Sequence, residues 1–265
     1  MQWHGTIIRL SAKHADQIQK GFKKAFNADD IAASFVAAHL GHTEITSQQA
    51  RDWAHTHITP DKTALIASLK PLYADGYVLG EAVGNTLLNR ANKAVQPKVD
   101  VGVVDWETWK PGNRAASALL KPKGGLQALL DRRGLTIDGI SNTSLDRIGN
   151  VLYRALRPAT ETTPGGLTPR EIAPLIDKVI DDPQRALTIA QTEMSRAVSV
   201  ASRDLYETSG VEQVEWLVAE GCEDCQENAD ASPIGINDTF PTGDTEPPAH
   251  PNCMCALAPY MNLGE

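Results

Sequence analysis

Apolar residues recur at helical spacing along most of the chain and alternate at strand spacing only towards its end. Ile18, Phe22 and Phe26 form one stripe of a helix that Ser11 is placed to cap. Asn27 or Asp29 opens a second helix to about His39, and Ser47 precedes a third over Gln48–His57. Thr59-Pro60 marks another start, with proline in the first turn. Leu65, Leu69, Leu72, Val83 and Leu87 carry that pattern on, across an expected break at Asp75-Gly76. Residues 1–98 thus read as a helical region.

The pattern changes at Val99–Trp109, where Val99, Val101, Val103 and Val104 precede Trp106, Trp109 and a Pro111-Gly112 turn. This stretch reads as a short strand or an ordered linker, and as a domain boundary. Helices are expected at about 113–133 and 143–156, separated by Leu135–Gly139, and Pro158–Gly166 has the composition of a loop. Residues 99–164 form a connecting helical segment.

Thr168-Pro169-Arg170-Glu171 combines a capping box with proline at the first helical position. Ile172, Leu175, Ile176 and Val179 give that helix one apolar face. Asp182-Pro183 opens a longer helix to about Thr208, ahead of Gly210. Leu187, Met194, Val198, Ala201 and Leu205 align along it, flanked by Ala186, Ile189, Ala190, Ala197 and Val200. Arg185, Arg196 and Arg203 take the opposite, polar side with Thr188, Thr192, Ser195 and Ser199.

Glu193 falls inside the apolar flank, where an unpaired carboxylate costs several kcal/mol. Three roles are open: pairing with Arg196 one turn on, accepting backbone amides of a packed segment, or acid–base chemistry. The structural roles are favoured. Val211–Val218 then alternates, with Val214, Trp216 and Val218 on one face, and runs almost straight into Cys222. Beyond a polar stretch rich in Gly, Pro and Asp, residues 253–259 are expected to return, extended, beside that strand. The fold class expected is α+β and mostly helical, its last part (165–265) holding a long helix, a few short strands and a Cys/His-rich turn region.

Composition adds bounds. Hydrophobic residues make up 42% of 265, enough for a core. No stretch approaches the ~20 apolar residues of a membrane span, so no membrane partner is expected. The first residues lack a basic segment followed by a long apolar one, so no signal peptide is expected and thiols should stay reduced. The net charge of −8 is uneven: after Arg203 there are 13 Asp and Glu and no Lys or Arg. Nucleic acid would find few cationic contacts there. The better stretch for a weak DNA contact is Lys98–Arg157, with ten basic and six acidic residues.

All four cysteines lie in the last quarter, as Cys222-Glu-Asp-Cys225 and His250-Pro-Asn-Cys253-Met-Cys255. In a reducing compartment, metal binding is the first reading, with free thiols in a packed turn or disulfides as alternatives. A structural zinc takes four Cys or His ligands. Both the four cysteines and three of them with His250 would serve.

These residues, in this order, resemble the C-terminal domain of the phage Mu F-like head morphogenesis proteins. The resemblance rests on Ala190-Gln-Thr192-Glu193 and Arg196 on a helix, Trp216 on a strand, Cys222-Glu-Asp-Cys225, and His250-Pro-Asn-Cys253-Met-Cys255. It covers about residues 165–260. Gln191 and Met254 stand where the family usually carries arginine, which removes two positive charges. The resemblance implies a non-enzymatic minor head (capsid) protein of a tailed bacteriophage. It further implies assembly in the bacterial host cytoplasm, a place in the virion head, and portal, major capsid or scaffold proteins as partners. The competing reading is a metal-dependent hydrolase or toxin-like enzyme using Glu193 or Glu223.

Overall fold

The computed structural model describes residues 1–39, 45–95, 104–120, 124–157, 166–219 and 221–261. Its helices are α1 (His4–Ala25), α2 (Ala28–Ala38), α3 (Ser47–His57), α4 (Lys62–Val95), α5 (Asn113–Leu120) and α6 (Gly124–Leu156). There follow α7 (Pro169–Ile180), α8 (Pro183–Thr208), β1 (Gln213–Leu217), α9 (Glu223–Asp230), β2 (Ile234–Gly235) and β3 (Ala256–Tyr260). The architecture is α+β and mostly helical, as the periodicity predicts. No described helix is long and apolar enough to cross a membrane.

The chain divides into two compact units. One comprises Asp16–Ser68 and Arg132–Ala186 and is helical. Phe22, Phe26, Phe35, Ile148, Leu152, Ile172 and Ile176 are buried in it. Asn27 caps α2 and the Thr168/Glu171 capping box starts α7, both where the sequence places them. Buried Arg185 lies 4.7 Å above the Phe22 ring and donates to Ile140 O and Ser144 Oγ, each at 2.9 Å. Burial brings its pKa down to about 10.

The other unit comprises Met1–Ala15, Leu69–Asp131 and Leu187–Glu265. Its centre is the pairing of α4 with α8. Gly76, Gly80 and Gly84 present a bare strip of α4, one residue per turn, to α8. A Cβ on Gly80 would lie 2.6 Å from Ala201 Cβ and 2.8 Å from Val198 Cα, so only glycine admits this approach. From Arg185 to Tyr206 no residue of α8 is exposed, so the side read as polar is covered too. Its polar groups find partners instead: Ser202 donates to Gly80 O at 3.0 Å, and Tyr77 Oη donates to Asp204 Oδ2 at 2.6 Å.

Four sequence expectations are corrected. Ser11 is not a cap, because α1 starts at His4 and Ser11 is buried within it, donating to Ala190 O at 3.4 Å. Asp61 rather than Thr59 caps α4, accepting Thr63 N at 2.9 Å. Neither Asp75-Gly76 nor Leu135–Gly139 breaks a helix; α4 and α6 run through them. Asp75 is held by Lys13 Nζ (2.8 Å) and His14 Nε2 (2.9 Å), and Gly76 faces Ala197. Burial of Ile137 and Leu145 outweighs the ~1 kcal/mol helix cost of Gly139. The strand or linker expected at Val99–Trp109 lies outside the described residues up to 103, and the loop expected at Pro158–Gly166 lies outside them except for Gly166.

Candidate metal centre

Gly210, with φ of +75°, ends α8 and turns the chain into β1. The sheet order is β2-β1-β3, both pairings antiparallel, with Trp216 opposite Leu257. One face of β1 packs Val214 and Trp216 into a cluster with Tyr206, Phe240, Cys225, Cys253, Cys255 and Leu257. The Phe240 ring meets Trp216 edge-on at 5.0 Å. The cysteines therefore sit at the edge of a hydrophobic core.

Each ligand loop is fixed by local chemistry. Cys222 is the N-cap of α9, and its sulfur accepts the Cys225 N–H at 3.3 Å. That bond, at a positive helix end, lowers the Cys222 pKa. Asn228, fully buried, accepts Thr242 N at 3.2 Å and donates to Thr242 Oγ1 at 2.9 Å, tying the polar excursion back to α9. At the second loop, Cys253 N donates to His250 O at 3.1 Å and Asn252 adopts φ of +60°. Asparagine is among the few residues that tolerate that conformation.

The same loop is fastened to α8. Asn252 N donates to Thr192 Oγ1 at 3.0 Å, and Ser195 Oγ donates to Cys253 O at 3.0 Å. Tyr206 Oη donates to Leu257 O at 3.2 Å, anchoring the strand that follows. Thr192 and the Cys/His loop, 60 positions apart, are thus one local structure.

His250 Nε2 lies 3.1 Å from Cys222 Sγ and 3.3 Å from Cys225 Sγ, and Cys225 Sγ lies 3.6 Å from Cys253 Sγ. Two triads result, Cys222–Cys225–His250 and Cys225–Cys253–Cys255, with all donor atoms of each within 4.8 Å of one another. All four cysteines are unpaired in disulfides. This Cys/His cluster can hold a metal ion. Burial pushes the Cys225 thiol up to about 12, while its bond to Cys255, then burial, raises Cys253. The bond from Cys253 lowers Cys255, and the Pro251 carbonyl raises His250. A divalent ion held in the cluster would favour the thiolate form of all four sulfurs.

Glu193 is 5% exposed; it accepts the Tyr73 hydroxyl at 2.7 Å and faces Arg196 Nε at 3.6 Å. The pairing with Arg196 agrees with one of the roles the sequence predicts. No local pattern announces the phenol 120 positions away. Glu223 is exposed in the first turn of α9, outside both triads. In Lys98–Arg157, residues 98–103 and 121–123 lie outside the described residues, as do the side chains of 132–136. Among the described cations there, Arg147 pairs with Asp182 (3.2 Å), and Arg114 and Arg157 stand over Trp109 (5.9 Å) and Tyr153 (5.4 Å).

No family model, curated protein or solved structure matches this chain.

Proposed function

We propose that this chain is a minor head protein of a tailed bacteriophage, acting in head morphogenesis beside the portal, with a structural zinc in its Cys/His cluster. The observation that carries the reading is the pair of bonds in which Thr192 Oγ1 accepts from Asn252 N and Ser195 Oγ donates to Cys253 O. The resemblance joins a Thr-Glu helix motif to a distant His-Pro-Asn-Cys motif. The bonds give that pairing a physical reason, because the helix motif holds the loop that presents the ligands. In this reading the zinc supplies cross-linking rather than chemistry: four soft ligands close its shell and leave no position for water.

The hydrolase or toxin alternative has less behind it. Glu193 is buried and engaged by Tyr73, and Glu223 belongs to neither triad. The role is that of a scaffold within the phage head, assembled in the host cytoplasm against portal and major capsid or scaffold proteins. A weak DNA contact through Lys98–Arg157 is a secondary part of the proposal. Co-expression with the portal and major capsid proteins of the same phage, then sedimentation and mass spectrometry of the particles, tests it. Portal-dependent recovery at a few copies per particle is expected. Absence from portals, procapsids and virions overturns it, and a screen for hydrolase activity becomes the next step.

A further inference from the structure

The cluster offers five donors where a tetrahedral ion takes four. We propose that the ion is held by Cys222, Cys225, Cys253 and Nε2 of His250, while Cys255 stays outside its shell as a supporting sulfur. The inference rests on the metal-binding reading above.

Geometry selects the set. With metal–sulfur distances of about 2.3 Å and metal–nitrogen distances of about 2.0 Å, a tetrahedral site has ligand–ligand edges of about 3.8 Å and about 3.5 Å. The Cys222–His250, Cys225–His250 and Cys225–Cys253 separations, 3.1, 3.3 and 3.6 Å, fall just inside those edges. Cys253 stands outside the Cys222–Cys225–His250 triad, so completing the shell also draws its sulfur in towards that triad.

The imidazole is prepared for the task. Its Nδ1 lies 2.9 Å from the Pro251 carbonyl oxygen, which can only accept, so Nδ1 carries the proton. Nε2 then directs its lone pair at the sulfurs of Cys222 and Cys225.

Cys253 and Cys255 both belong to the second triad and neither to the first. Cys253 is the better placed, its sulfur 3.6 Å from Cys225 Sγ, whereas the Cys255 sulfur is also engaged by the Ala219 N–H. Charge points the same way. Three thiolates with a divalent ion leave a net −1, four leave −2, and no Lys or Arg follows Arg203 to offset the difference.

The test uses the full chain loaded with zinc. X-ray absorption of the unmutated protein should find three sulfurs at about 2.3 Å and one nitrogen at about 2.0 Å. Cys255→Ser should keep stoichiometric zinc and the same shell, with affinity falling by no more than about 100-fold, the range of an outer-shell change. Cys253→Ser should fall further than that, and the unmutated spectrum decides the matter should that variant not fold. Four sulfurs in the shell, or a sulfur lost from it in Cys255→Ser, overturns the ligand set while leaving metal binding standing. A chain that takes up no zinc at all overturns both.

Discussion

The backbone N–H of Asn252 donates to the Thr192 hydroxyl at 3.0 Å, with Asn252 itself at φ of +60°. A turn that only a few residue types adopt is thereby held by a side chain of the buried helix. The helix orders the loop, and the loop orders His250 and Cys253 on either side of it.

Thr192→Ala and Ser195→Ala should each destabilise the protein by about 1 kcal/mol, the net worth of a hydrogen bond. Thr192→Ser should restore most of the loss, because it keeps the accepting oxygen. Urea unfolding of the zinc-loaded chain measures both. A Thr192→Ala variant as stable as its parent would show that the bond does not hold the loop.

Two glycines on long helices should respond in opposite directions. Gly80→Ala places a Cβ 2.6 Å from Ala201 Cβ and should cost about 2 kcal/mol or more through overpacking. Gly139→Ala meets nothing within 4 Å in the middle of α6 and should gain up to about 1 kcal/mol. Thermal unfolding of the two variants provides the comparison, and equal effects would refute the contrast.

Asp75 should support stability at neutral pH and lose that role in acid. Burial raises its pKa, but the bonds from His14 and Lys13 and their charges more than offset this and bring it below the ordinary value. A carboxylate with a depressed folded pKa contributes fully above its unfolded value of about 4, and loses that contribution as pH falls through the folded value. Asp75→Asn should therefore cost about 2 kcal/mol at pH 7, a gap that narrows below about pH 4. Urea titrations at several pH values check the trend, and a gap that widens in acid would contradict it.

Removing the ion with a strong chelator should lower Tm by about 10 °C, the equivalent of about 3 kcal/mol in a chain of this size. Zinc, but not magnesium, should restore it, since the donors are soft sulfur and imidazole. An unchanged Tm after metal analysis has confirmed removal would argue that the cluster does not depend on an ion.

The readings that succeeded rested on local chemistry. Asn27, the Thr168 box and Asp182-Pro183 announce helix starts within four residues, and the cysteine spacing announces the cluster. Elsewhere the residues that look like signals serve a different cause. Gly76 looks like a helix break, yet its missing side chain serves the packing of Ala197, and Asp75 beside it serves His14. Ser11 looks like a cap but supplies a buried hydroxyl to Ala190. Tyr73 could not be foreseen as the partner of Glu193, because only folding brings residues 120 positions apart together.

The bare strip on α4 also acts as an index. Gly76, Gly80 and Gly84 receive Met194, Ala197, Val198, Ala201 and Ser202 as a ratchet receives its pawl, so α8 cannot slide or roll without driving atoms into backbone. Thr192 and Ser195 are carried at fixed coordinates by that lock. The register of α8 against α4 is thereby passed on, through Thr192 and Ser195, to Asn252 and Cys253.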